Sequence, residues 1–145
     1  MLMDATLEME NQPIWEYRAT IPAAVSSIPT VMDQVMDVGE KTECFKGKEF
    51  EIETALREAL ANAIVHGCKN DEQQSVKVSV SCDQDHEIQM VVQDSGRGFD
   101  PRSIPDPTKH TQLHATHGRG LFLIEQFMDE VRHRRGGTEI FMRKR

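Results

Sequence analysis

The segment Glu51 to His66 constrains the fold more than any other part of the chain. Its apolar residues Ile52, Ala55, Leu56, Ala59, Leu60, Ala63 and Ile64 recur in alternating steps of three and one. At about 100° per residue this spacing gathers them into one broad stripe, so the segment predicts an amphipathic helix with that stripe on a core. Gly67 follows and stops the helix in the usual C-terminal way. A chain of 145 residues suits one domain built around such a helix and leaves little room for two.

Strand signals flank the helix. Ile14 to Ile21 is expected to form a first strand, with Trp15 and Tyr17 on one face, ended by Pro22. A first helix follows from Ser26 or Ser27, either of which is placed to cap it, and carries Ile28, Val31, Met32, Val35, Met36 and Val38 at helical spacing. Lys41 to Gly47 reads as a connector. After the long helix, Val76, Val78, Val80 and Cys82 alternate with Lys77, Ser79 and Ser81, a strand with one buried face. Asp83 to His86 turns it into a return strand through Ile88, Met90, Val91 and Val92. A third helix is expected near Gly118, with Leu121, Phe122, Ile124 and Phe127. Val131 to Arg135 and Thr138 to Met142, joined at Gly136 and Gly137, form a last hairpin. The expected architecture is an α/β (α+β) two-layer sandwich: a mixed, mainly antiparallel sheet of about five strands with about three helices on one face. Residues 1–12 are expected to be a flexible tail and 13–145 a single domain.

Three polar features stand apart from this core pattern. Asp94, Gly96 and Gly98 follow the return strand directly; the glycines let backbone approach a ligand, and an acid at a strand end accepts a hydrogen bond from an exocyclic amine such as adenine's. Gly118, Arg119 and Gly120 stand at the expected start of the third helix, where free N–H groups and the helix dipole favour phosphate. Glu58, Asn62 and His66 repeat at i, i+4 and i+8, a slanting polar row beside the apolar stripe. Asn62 offers a neutral oxygen of the kind Mg²⁺ takes alongside phosphate and water, and Glu58 stands one turn away, placed to act on a hydroxyl. The chain has neither a P-loop nor the Rossmann glycine spacing.

The order Glu58-x-x-x-Asn62-Ala63, then Asp94-x-Gly96-x-Gly98-Phe99-Asp100, then Gly118-x-Gly120-Leu121 resembles the GHKL ATPase superfamily of gyrase, heat-shock chaperones, histidine kinases and mismatch-repair proteins. More closely, the tracts Glu58 to Gly67 and Gly118 to Val131, with Gly137-Thr138-Glu139, are similar to the small bacterial serine-protein kinases that act as anti-sigma factors. The resemblance implies a Bergerat-type ATP-binding fold, with ATP and Mg²⁺ as cofactors. It implies Asp94 on the adenine amine, Gly96, Gly98 and Phe99 along the base and sugar, and Asn62 on Mg²⁺, with His66 ending the same row. Gly118, Arg119, Gly120 and Leu121 would close over the phosphates, Thr138 would lie near the adenine, and Glu58 would be the catalytic base. The implied partners are a sigma factor and an anti-anti-sigma protein of the STAS type, with a homodimer as the implied assembly.

The chain departs from this pattern just before Gly118, where Thr116 and His117 stand in place of a basic residue, so Arg119 or Lys109 is left to serve the γ-phosphate. A non-catalytic nucleotide-dependent switch and a stand-alone histidine-kinase ATP domain are the alternatives. His110, His114 and His117 have metal-like spacing, but no Cys or carboxylate pattern completes a site and a solvated loop is expected. The run Arg132 to Arg135 and the ending Arg143-Lys144-Arg145 read as a solvated hairpin edge. A formal net charge of −7 argues against direct nucleic-acid binding. Cys44, Cys68 and Cys82 fit no zinc spacing and are expected as reduced, partly buried thiols. The first residues carry Asp4, Glu8 and Glu10 with no basic or apolar signal region, and no apolar run is long enough to span a bilayer, so a cytoplasmic protein is expected.

Overall fold

The structure, a computed structural model, describes residues 13–96 and 115–145. Strand β1 spans Trp15–Pro22. A short 3-10 turn, Val25–Ser27, leads into helix α1, Ile28–Lys41, with a proline in its first turn, where a missing N–H costs nothing. Ser27 precedes the helix without capping it; its hydroxyl donates instead to the Pro22 carbonyl at 3.1 Å. Helix α2 spans Glu49–Ala61 and continues as a π-turn over Asn62–Gly67, in which the Cys68 N–H reaches the Ala63 carbonyl at 2.8 Å. Strands β2, Ser75–Cys82, and β3, Ile88–Asp94, form a hairpin closed by Asp83, whose Oδ1 accepts from the Asp85 and Glu87 N–H groups. Helix α3 is Ala115–Phe127, and strands β4, Glu130–Arg134, and β5, Glu139–Lys144, follow.

The five strands form one sheet in the order β1-β2-β3-β5-β4, antiparallel at every pairing described. Its inner face is apolar at alternate positions: Val76, Val78, Val80, Met90, Val92 and Met142 are all at most 2% exposed. The α2 stripe meets that face, and all seven of its apolar residues, Ile52 to Ile64, are buried. The burial of Ile124 and Leu121 brings α3 into the same core. Non-polar area removed from water at about 25 cal/mol per Å² makes this interface the main source of stability. Glu16, Arg18, Thr20 and Lys77 point out of the opposite, solvent-facing side.

One expectation is refined here and one is corrected. The basic hairpin edge is exposed as expected at Arg132, Arg134, Arg135 and Arg145, and it also covers an aromatic ring: the guanidinium carbons of Arg134 and Arg143 lie 4.6 and 5.5 Å from the Phe141 ring centroid, and Phe141 is only 6% exposed. Arginine stems and planar heads can roof an aromatic ring while keeping their charge wet. Contrary to the expectation of reduced thiols, Cys44 and Cys82 are joined in a disulfide, with their Cα atoms 6.6 Å apart at a sequence separation of 38, while Cys68 is a free buried thiol. Sequence spacing carries no sign of that proximity, which arises because the connector after α1 crosses the end of β2.

Candidate functional site

The last turns of α2 set the first half of the site. Because the apolar stripe is anchored in the core, Glu58 and Asn62 are held half-buried on its flank. Gly120 of α3 sits directly against them. A Cβ at Gly120 would stand 2.8 Å from Glu58 Oε2 and 3.3 Å from both polar side-chain atoms of Asn62, so a larger residue there would have to displace the Glu58 carboxylate. The Asn62 amide nitrogen is buried and has no hydrogen-bond partner. An orphaned donor of this kind costs roughly 1–3 kcal/mol, which marks the position as one kept for a ligand or for the alternative amide orientation.

The second half is built at the end of β3. Asp94 is 7% exposed, the one buried charged side chain among the described residues. Its N–H donates to the Thr138 carbonyl at 2.8 Å, which ties the end of β3 to the start of β5. Its Oδ1 accepts the Gly96 N–H at 2.8 Å. Burial pushes the Asp94 carboxyl above its ordinary value, with the Gly96 hydrogen bond pulling the other way. The backbone packs tightly around this carboxylate. A Cβ at Gly67 would lie 2.4 Å from Asp94 Oδ2, and one at Gly96 would lie 1.9 Å from the Gly67 carbonyl oxygen.

The two halves share one cavity. Asn62, Asp94, Leu121 and Thr138 line it, with Ala63 and Ile140 among its apolar walls, and its volume is about 20 Å³. That is about room for one water, so a purine enters only if the walls of the cavity move apart. The structure thus brings together Glu58, Asn62, Asp94, Gly96, Gly120, Leu121 and Thr138 from four separate parts of the sequence. His66 is exposed and lines a neighbouring hollow of about 550 Å³ with Lys69, Asp71 and Ser95. Arg119 is exposed while Gly118 and Gly120 are buried. Gly98, Phe99, Lys109, His110 and His114 lie outside the described residues.

Two features differ from the sequence expectation. Helix α3 begins at Ala115 and not near Gly118, so the Gly118 to Gly120 N–H groups lie within the helix and not at its open end. His133 also lines the cavity, although it sits in what reads as a run of surface cations. The signal for it was period two: Arg132 and Arg134 are exposed, while Val131 and His133 turn inward. Burial pushes the His133 pKa below its ordinary value, opposed by Glu125 of α3.

Residues 21–144 match the family described as the histidine kinase-like ATPase domain. The chain belongs to that family. Family membership makes ATP the ligand of the domain and accounts for the meeting of a buried acid, an orphaned amide and close-packed glycines around one cavity. The chain is 32% identical over 126 residues to a protein of Priestia megaterium named anti-sigma F factor, covering 83% of this chain and 78% of the relative. It is 35% identical over 136 residues to the anti-sigma F factor of Oceanobacillus iheyensis, covering 89% and 84%. A crystal structure of the RsbU and RsbW domains of Rv1364c from Mycobacterium tuberculosis shares the fold, with a TM-score of 0.65 and 20% identity; the likeness spans 92% of this chain and 32% of that one. Among the described residues, no helix is long and apolar enough to cross a membrane.

Proposed function

We propose that the chain is an anti-sigma factor that is also an ATP-dependent serine/threonine protein kinase: it sequesters a sigma factor and phosphorylates an anti-anti-sigma protein of the STAS type. The observation that carries this reading is the single cavity with the buried Asp94 carboxylate and the Asn62 amide on its wall and Glu58 packed beside Asn62. The relatives named anti-sigma F factor supply the choice of partners.

In this reading Asp94 accepts a hydrogen bond from the adenine amine, and its burial makes the bond selective by keeping water from competing. Asn62 would hold Mg²⁺ through its amide oxygen, a neutral ligand of the kind the ion takes alongside phosphate and water, leaving its unpaired Nδ2–H to donate to a phosphate oxygen. When bound, the ion neutralises charge on the terminal phosphates. Glu58 receives the proton of the acceptor hydroxyl as that oxygen bonds to the γ-phosphorus and the bond to the β-phosphate bridge breaks. Gly120 leaves room for the phosphates beside Glu58. The protein works in the cytoplasm, as a homodimer. The absence of a basic residue just before Gly118 favours a second reading, a nucleotide-dependent switch that binds its partners without phosphotransfer.

The test is to mix the purified chain with Mg-ATP labelled on the γ-phosphate and a STAS protein from the same cell. Transfer of label to a serine or threonine of the STAS protein is expected. Nucleotide-dependent binding to that protein without label transfer would replace the kinase reading with the switch.

A further inference from the structure

We propose that Cys44 and Cys82 form a redox-responsive staple, a dithiol–disulfide pair that pins the connector between α1 and α2 to the end of the sheet farthest from Asp94. Cys82 closes β2, in register with Trp15 of β1 and Ile88 of β3, whereas Asp94 pairs with Val76 at the other end. Cys44 lies in the connector between Lys41 and Glu49, and the disulfide closes a separation of 38 residues.

The connector is held in two further ways that do not need the bond. Phe45 is 1% exposed, packs on Trp15 at 5.8 Å between ring centroids, and fills the space a Cβ at Gly39 would need. Lys48, which precedes α2, donates from Nζ to the His86 carbonyl at 2.7 Å in the β2–β3 turn. Cys44 and Cys82, at 1% and 0% exposed, also pack as small apolar residues when reduced. Both redox states therefore keep the fold. What changes is the freedom of the connector, and with it the restraint on the N-terminus of α2, the helix that carries Glu58 and Asn62. Cys68 is no competitor. Its contacts are Ser75 and Ser95, at the far end of an eight-residue strand, roughly 23 Å from Cys82 at the usual rise per residue.

The oxidant class is a low-molecular-weight disulfide. One cysteine thiolate attacks it, forming a mixed disulfide and releasing one small thiolate. The second cysteine thiolate then attacks the protein sulfur of the mixed disulfide and releases the other. The two protons given up by the cysteines go to the two released thiols, so the small disulfide is reduced as the protein dithiol is oxidised. Because both sulfurs are buried, exchange proceeds through transient opening of the connector.

The test equilibrates the purified full chain in glutathione buffers from fully reduced to fully oxidised. It is then denatured and alkylated, and its modified cysteines are mapped by mass spectrometry. The expected count falls from three to one, the survivor being Cys68, with a midpoint inside the series. Trp15 is the single tryptophan, and its Nε1–H lies 3.2 Å from Cys44 Sγ, so its emission should rise on reduction as disulfide quenching is lost. Hydrogen exchange of residues 42–48 should speed up in the reduced form, and C44S/C82S should exchange like the reduced wild type at every buffer composition. Three alkylated cysteines throughout, a cross-link through Cys68, a bond that survives the fully reducing end, or equal exchange in the two forms would each overturn the proposal. The wild-type measurements decide it even where the double variant fails to fold.

Discussion

Replacing Gly67 by alanine should weaken ligand binding more than it weakens the fold. The new Cβ would stand 2.4 Å from Asp94 Oδ2 and 2.5 Å from its Cγ, about 1 Å inside ordinary contact. Asp94 cannot yield without cost, because its backbone is tied to Thr138 and its Oδ1 to the Gly96 N–H. Crowding of this kind costs about 1–3 kcal/mol. Against it, Gly67 lies in the π-turn outside the left-handed region, so alanine recovers up to about 1 kcal/mol of backbone propensity. The net loss of stability is therefore about 0–2 kcal/mol. On the proposed placement of adenine, the displaced carboxylate would lose its bond to the adenine amine, worth about 1.5–3 kcal/mol for a charged acceptor. That corresponds to a roughly 10- to 150-fold weaker Kd for ATP. Isothermal titration with Mg-ATP reads the second quantity and a denaturant melt of the apo protein reads the first. Gly67→Ala with wild-type affinity for ATP would refute the placement of the base against Asp94, whatever its stability.

Asp94→Asn should weaken ATP binding sharply and yet leave the apo protein as stable as wild type, or more so, at neutral pH. An acid whose folded pKa is raised stabilises the fold only below its unfolded value and loses that contribution as pH rises through the raised one, so asparagine removes a liability; a lower apo melting temperature for Asp94→Asn would contradict this. Glu58→Gln should retain ATP binding and lower phosphotransfer by about 10²- to 10⁴-fold, the usual contribution of a general base; unchanged transfer to the STAS protein would remove Glu58 from that role. His133 has a lowered pKa, so its contribution is present above the ordinary histidine range and lost as pH falls towards the folded value. His133→Gln should therefore flatten the acid limb of the stability curve below about pH 6.5, and an unaltered limb would place the titration elsewhere. Mg-ATP at 100 times its Kd should add about 2.7 kcal/mol of stability to the wild type, seen as a raised melting temperature.

Much of this architecture is legible in the sequence because burial here follows strict periods. The α2 stripe is continuous, and β2 alternates without a break, so period alone assigns their inner faces. Glu58, Asn62 and Asp94 are legible for the opposite reason: they are polar residues at the border of those stripes. What sequence hides is proximity across the fold. The Cys44–Cys82 bond depends on where a connector crosses a strand end. His133 is masked by three arginines that share its run but face the other way or lie beyond the strand. The start of α3 is misread because Gly118 looks like a boundary, whereas three residues before it already continue the helix.

That last difference bears on how the domain takes up its ligand. With α3 running from Ala115, the Gly118 to Gly120 N–H groups are spent inside the helix, and Gly120 rests on Glu58 and Asn62 in a cavity of about 20 Å³. A phosphate chain needs free N–H donors and space at that point. On the proposed reading, phosphate binding at Gly118 to Gly120 would open the first turn of α3, while the rest of the helix, anchored by Ile124 and Met128, stays in the core. The unpaired Asn62 Nδ2 and the buried Asp94 carboxyl, whose Oδ1 alone is held by the Gly96 N–H, favour that opening, since each gains a further partner when the cavity is filled. Stability given up by the empty site at these two residues is what ATP binding recovers, so the nucleotide-induced rise in melting temperature should shrink when either residue is replaced by an apolar one of similar size.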